Sequence, residues 1–370
     1  MEKSLIFLIL ILIALGFAVY KTRKRRKITN VFLCLFVTLF FLLLIEFVYR
    51  NFLKEKRIYS IVNSYFQYDS LMGYKFKDTG KLKATEYFIG GDTIYNTYYT
   101  VLPDTMGSYY NYPFRKGYRS ESSDRETVFL GCSVTMGECL ADDQTLPYQY
   151  GKLTGISTVN RGCNGFGIHQ VYQTFKFKYA NQDNHKRVFV YTFLSDHLVR
   201  ANGIYTWNMA GPYFTVSGDS LIFKGPLFLN KKIKGLSLAY YASFFGAFTF
   251  IRDNIQKIAV GKSIRELTDD DIAPGYLMLR KMAETINRTG GKFVILNWDS
   301  GYKVNNVSKA LDQNSVNRRI AGLVRPSGGL VLPVSPVIDF SDKKYFVPID
   351  GHPAATTYRL LAKYLAENIR

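Results

Sequence analysis

Hydrophobic and polar positions divide the 370-residue chain into three regimes. Residues 5–20 form an uninterrupted apolar run, and residues 31–49 form a second, broken by one charge, Glu46. A helix needs about 20 apolar residues to cross a bilayer, with roughly 17 as the lower limit, so the first run is marginal and the second sufficient. From 59 to 124 short Tyr- and Thr-rich runs alternate with turn residues, as in FIGGDTIYNTYYTVL at 88–102. This predicts a β-rich lead-in packed as an accessory layer, its tyrosines half-buried in a sheet rather than forming a sugar platform. From Glu126 the pattern changes again. ETVFLG (126–131), STVNRG (157–162), KRVFVYTFL (186–194) and KFVILNW (292–298) are β-branched or aromatic runs separated by segments that suit helices. Strands alternating with helices predict an α/β domain with a central parallel sheet covered on both faces.

Residues 272–291 read as a helix closed by glycine, running directly into the strand at 292–298, and residues 307–323 read as the next helix. LVLPVSPVI (330–338) offers a last strand whose prolines place it at an edge or cut it short. A helix at 354–369 ends the chain. Residues 201–260 interrupt the alternation with an aromatic-rich insertion containing a hairpin-like SGDS turn, an excursion of the kind that shapes substrate pockets. The expected organisation is therefore a membrane anchor at 1–57, a β-rich segment at 58–125 and an α/β domain at 126–370.

A chain that is 47% hydrophobic and 16% aromatic is neither disordered nor low-complexity. Its formal charge of +19 raises the question of an anionic partner. Between the two apolar runs lies KTRKRRK (21–27), with six cations and no anion. The positive-inside rule keeps such a loop in the cytoplasm, so both termini and everything after the second span lie outside. The flank at 50–57 is also basic but less dense. A signal peptide would carry its cations before the apolar core, not after it. A nucleic-acid patch wedged between two spans has no room to dock on a duplex. Glu46, near the outer end of its span, suits snorkelling to the interface. Residues 1–57 hold 11 basic and 3 acidic side chains, leaving 37 and 26, or +11, on the remainder. Without metal-ligand spacing or an RNA-binding aromatic signature, that charge fits an anionic envelope surface or glycan better than nucleic acid. No metal or cofactor is expected.

In open parallel sheets, reactive groups collect beyond the carboxyl ends of the strands. After the first comes VFLGCSVTMGE (128–138), where Ser133 follows a strand and a glycine and precedes a predicted helix. After the second comes VNRGCNGFG (159–167), in which Gly165 can aim an amide at a carbonyl oxygen. Near the end comes IDGHP (349–353). A serine nucleophile needs a base, and the base needs an acceptor that fixes its tautomer. Of four histidines, His185 sits in a polar segment, His169 within a predicted helix, and His197 just beyond a strand; His352 alone has a carboxylate two residues away, Asp350, ahead of a helix. Ser133, His352 and Asp350 are the candidate relay, with ordinary loop chemistry as the alternative.

The order and context of these blocks resemble the SGNH (GDSL-type) hydrolase superfamily over residues 126–370. FLGCSVTMGECLADDQTLP (129–147) resembles its nucleophile block, with Cys132 where an Asp is usual, and VNRGCNGFGIHQ (159–170) resembles the second block. IDGHPAATTYRLLAKYLA (349–366) resembles the last. The resemblance implies a three-layer α/β/α domain, Ser133 as nucleophile and oxyanion donor, Gly165 as a second oxyanion donor, and Asp350 and His352 as the rest of the triad. The third block departs: TFLSDHLVR (192–200) has no Asn for the oxyanion, leaving Ser195, Asp196 or His197 to stand in. An ionised Asp196 would repel the charge, and loss of one such donor costs roughly 3–4 kcal/mol of transition-state stabilisation. A literal GDSL at 218–221 lies in the insertion, outside strand-turn-helix context, and is set aside.

Cys132, Cys139 and Cys163 fall in blocks that should converge; small buried thiols are favoured over a Cys132–Cys163 bridge. The resulting expectation is a membrane-anchored extracytoplasmic serine esterase acting on short acyl esters, such as O-acetyl groups of envelope glycans. The alternatives are an O-acyltransferase using the same site and a catalytically degenerate binding protein.

Overall fold

The computed structural model describes residues 3–53, 57–60, 65–88, 93–104, 111–205, 208–230, 250–251, 254–255, 258, 267–299, 311–348 and 350–369. The chain divides into two compact units, 1–56 with 234–263, and 57–233 with 264–370.

The first unit contains helices α1 (Lys3–Thr22) and α2 (Arg26–Val48), joined by a tight basic turn and followed by a π-helical turn at Tyr49–Leu53. Both helices are long and apolar enough to cross a membrane, judged by length and composition. Glu46 differs from expectation. Rather than reaching outward it is buried, ion-paired with Arg50 and accepting from the Phe250 amide at 3.1 Å. Its position four residues before Arg50 on a helical turn makes that pairing local.

The second unit opens with strands β1 (Arg57–Ser60), β2 (Phe66–Asp69), β3 (Gly73–Phe76), β4 (Gly80–Phe88), β5 (Thr93–Leu102) and β6 (Phe114–Arg115). Then come β7 (Glu126–Gly131), α3 (Ser133–Met136), α4 (Leu146–Thr154), β8 (Ser157–Gly162), α5 (Ile168–Lys178), β9 (Arg187–Phe193) and α6 (Asp196–Arg200). A hairpin of β10 (Pro212–Ser217) and β11 (Ser220–Pro226) occupies the start of the insertion, with the GDSL letters at its turn. The unit closes with α7 (Asp269–Arg288), β12 (Lys292–Asn297), α8 (Gln313–Val324), β13 (Leu330–Pro333) and α9 (Ala355–Asn368). Residues 206–207, 231–249, 252–253, 256–257 and 259–260 of the insertion lie outside the described residues, as do 307–310 of the predicted 307–323 helix.

Nine strands form one sheet in the order β1-β4-β5-β6-β8-β7-β9-β12-β13. The five from β8 to β13 are parallel, as the alternating pattern predicts. β7 and β9 are buried nearly throughout, the signature of strands covered on both faces. The lead-in corrects its expectation: β4, β5 and β6 do not layer over the domain but extend the same sheet antiparallel, through the single pair Arg115–Asn160. β13 is a short edge strand, cut off at Pro333 as its prolines require.

The chain steps from β7 outward to β8, then back across β7 to β9 and on to β12 and β13. Right-handed crossovers put the helix of the first step on one face and those of the later steps on the other. The packing agrees: α4 lies with α9, and α7 lies with α5 and α8. The reversal makes the carboxyl end of β7 the switch point, where crevices form. Register aligns the strand ends, pairing Gly131 with Gly162, Phe193 with Asn297, and Asn297 with Pro333. The Ser133 turn needs close approach: a Cβ on Gly162 would stand 2.3 Å from the Met136 amide nitrogen, and one on Gly131 2.1 Å from Thr135 Oγ1.

Candidate active site

Ser133 begins α3, so its amide is one of the first-turn donors that a helix leaves unpaired. α3, the helix predicted after Ser133, is a single turn ended by Gly137 in the left-handed region. His352 and Asp350 sit on a turn between β13 and α9, fastened by Val347 N–H to His352 O at 2.7 Å and Gly351 N–H to Val347 O at 3.0 Å. Tyr358 of α9 donates its hydroxyl to Val134 O at 2.5 Å, tying that helix to the Ser133 turn.

These elements bring Ser133, just after β7, together with Asp350 and His352, 219 positions further along at the histidine, as one hydrogen-bonded line. His352 Nε2 is 2.8 Å from Ser133 Oγ. His352 Nδ1 is 2.5 Å from Asp350 Oδ1, which also accepts from the His352 amide at 3.1 Å and the Cys139 thiol at 3.1 Å. With Nδ1 protonated toward Asp350, Nε2 is the acceptor for the serine proton. Burial alone would raise the Asp350 pKa, but the hydrogen bond and charge of His352, with the Cys139 thiol, bring it down to about 2. Burial acts on His352 in the opposite sense, lowering it, and the Glu138 and Asp350 carboxylates outweigh that, leaving its pKa above the ordinary value.

Glu138 belongs to this group although the sequence reading did not single it out. Its Oε2 lies 3.3 Å from His352 Nε2, and its Oε1 accepts from Asn164 Nδ2 at 2.8 Å. Burial, with Asp350 nearby, pushes the Glu138 pKa up against the pull of His352, Arg115 and Arg200. The placement depends on a backbone no periodicity foretells: Cys139 has φ +72°, the only non-glycine with positive φ among the described residues. Such strain is held by surroundings that over-determine it. The Cys139 amide donates to Tyr99 Oη at 2.9 Å. Fully buried Arg115, stacked 4.1 Å over the Tyr99 ring, donates to the carbonyls of Met136, Gly137 and Leu140 at 2.8, 2.6 and 2.5 Å. The lead-in thus braces the loop that carries Glu138 and Cys139.

Gly165 is half-buried on the loop after β8, next to Asn164. Asp196 and His197 are differently engaged. Asp196 accepts from Arg200 Nε at 2.6 Å and Tyr205 Oη at 2.9 Å. His197 is fully buried, stacked on Tyr191 with Nδ1 2.8 Å from that phenol, and burial beside Arg200 drives its pKa well below the ordinary range. Among the described residues no hydrogen bond or ion pair joins either to Ser133, His352 or Asp350. His169 is buried in α5 with its pKa lowered to about 3 by burial and Arg200, a packing residue, and His185 is exposed. Cys132, Cys139 and Cys163 are buried free thiols, so the bridge does not form. Cys139, Asp350 and His352 offer three donor atoms within 4.8 Å of one another, a set that could hold a metal ion and whose mutual hydrogen bonds already account for its closeness.

No protein-family model and no curated protein matches the chain. Similar solved structures include an acetylxylan esterase from Geobacillus stearothermophilus, 11% identical, covering 68% of this chain and 97% of that one at a TM-score of 0.39. Another is a member of the lipolytic protein G-D-S-L family from Veillonella parvula, 12% identical, covering 66% and 98% at 0.36. Likeness at this level assigns no activity; the hydrogen-bonded line does the chemical work of the case.

Proposed function

We propose that the chain is a membrane-anchored serine esterase of the SGNH type, acting outside the cytoplasmic membrane on short acyl esters such as O-acetyl groups of envelope or extracellular glycans. The observation that carries this reading is the Ser133–His352–Asp350 line at the carboxyl ends of the parallel strands. Ser133 Oγ attacks the ester carbonyl while its proton passes to His352 Nε2. Asp350 holds the imidazole and stabilises its cation. The amides of Ser133 and Gly165 receive the oxyanion; Asp196 is left out because both its carboxylate oxygens accept within the protein, from Arg200 and Tyr205, and His197 because it is fully buried with Nδ1 on Tyr191. Collapse of the tetrahedral intermediate breaks the bond to the alcohol, whose oxygen takes the proton from Nε2. Water then repeats the sequence on the acyl-serine and releases the acid.

The two apolar helices support the anchor, and the cation-rich turn at 21–27 supports an orientation with the site outside. The short-acyl and glycan assignments follow from the sequence resemblance and from the +11 charge beyond residue 57, which suits anionic envelope material. The test is hydrolysis of acetyl esters by the purified full-length chain in detergent. Steady turnover without an added acceptor, absent in Ser133→Ala, is the expected result. Turnover only when a sugar hydroxyl is supplied would make the protein a transferase, and none under either condition would remove the catalytic reading.

A further inference from the structure

Glu138 stands beside the relay without a part in it. Its carboxylate is divided, one oxygen on Asn164 Nδ2 at 2.8 Å and the other 3.3 Å from the His352 Nε2 that also faces Ser133 Oγ at 2.8 Å. In acyl transfer Nε2 handles one proton twice, taking it from the serine and giving it to the oxygen of the departing alcohol. That oxygen must come within about 3 Å of Nε2. It therefore arrives next to Glu138 Oε2, which already contacts the same ring atom. A hydroxyl on the neighbouring carbon of that alcohol meets Oε2 at the ordinary O–H···O separation of about 2.8 Å. An ether or apolar group there leaves a buried acid without the donor it faces, and a carboxylate there adds like charge.

Resting on the ester reading above, we propose that Glu138 selects the alcohol half of the substrate by accepting a hydrogen bond from a free hydroxyl on the carbon next to the ester oxygen. The preferred substrates are then partly acylated polyols, a sugar ring with a free neighbouring hydroxyl being the natural case, and alcohols with an anionic group at that position are refused. The charges that act on Glu138 are those of His352 and Asp350 on the turn before α9, Arg115 on β6 and Arg200 on α6. All four are engaged within the protein: His352 with Ser133 and Asp350, Arg115 with backbone carbonyls, and Arg200 with Asp196. A substrate hydroxyl supplies a donor to the second oxygen without disturbing them.

The experiment compares 2-hydroxyethyl acetate with 2-methoxyethyl acetate, which share the acyl group and differ only in the neighbouring donor, on the full-length chain and on Glu138→Gln. The glutamine retains an oxygen for Asn164. The wild-type chain should favour the hydroxyl ester by about tenfold in kcat/KM, the scale of one hydrogen bond to a charged group. In Glu138→Gln the ratio should fall to within about threefold, the loss expected when the acceptor's charge is removed. Equal rates on the two esters by the wild-type chain overturn the proposal whatever the variant does, as does an unchanged ratio in an active variant. Turnover of neither ester by the wild-type chain removes the esterase reading itself, and this inference with it.

Discussion

His352 has a proton balance set by named neighbours. Burial and Arg200 disfavour its charged form, Glu138 and Asp350 favour it, and the net is a pKa above the ordinary value of about 6.5. Since attack requires the neutral ring, kcat/KM should rise with pH along a limb centred above about 6.5. Glu138→Gln should move that limb to lower pH, because the carboxylate closest to Nε2 is gone; a pH–rate profile with an unmoved limb would contradict the arrangement. The stability consequences have opposite signs. The raised His352 contributes fully below its unfolded pKa and loses that contribution as pH rises through the folded value. Asp350, held at about 2, contributes above its unfolded pKa and loses it as pH falls toward 2. Asp350→Asn should lower kcat by about 10⁴-fold by presenting the wrong tautomer to Ser133. Ser133, Asp350 and His352 were legible in the sequence because their signals are local: a serine after a strand and glycine, and a carboxylate two residues from a histidine. Glu138 was not, since its position depends on Tyr99, Arg115 and a positive φ at Cys139, none of which leaves a spacing signal.

Strands and helices were legible where periodicity and punctuation agree. β7, β8, β9 and β12 coincide with their apolar runs, α7 and α9 lie where their patterns place them, and β13 stops at its proline. Pairing at long range was not: nothing in FIGGDTIYNTYYTVL says that β5 adds to the central sheet through β6, because one pair, Arg115 with Asn160, makes the join. That join brings Arg115 under the nucleophile loop. Arg115→Lys, with one ammonium in place of a fork meeting three carbonyls, should lower stability by about 1–3 kcal/mol for each buried group left unpaired. Urea denaturation would read this as a lower midpoint. Gly162→Ala drives a methyl into the backbone of α3; we expect a loss of about 1–3 kcal/mol together with reduced turnover, since Ser133 opens that helix. Wild-type stability in Gly162→Ala would show that the turn can move aside.

At the scale of the molecule, the charge resolves into parts: eight of the nineteen net positives fall in residues 1–57, which include the six cations of residues 21–27, and eleven beyond. Only the helices themselves are structural fact; their insertion and orientation are what the proposed function adds. If the 21–27 turn lies in the cytoplasm, protease added outside intact spheroplasts should degrade residues beyond 57 while the turn remains protected, and cleavage at the turn with residues beyond 57 protected would reverse the orientation. The central claim is narrower, that Ser133 is a nucleophile activated by His352. A fluorophosphonate probe, which forms a covalent bond only with an activated serine, tests it directly on the purified full-length chain. The account predicts one labelled site, mapped to Ser133 by peptide mass and lost in both Ser133→Ala and His352→Ala. An unlabelled wild-type chain, or a label that persists in Ser133→Ala, would contradict it.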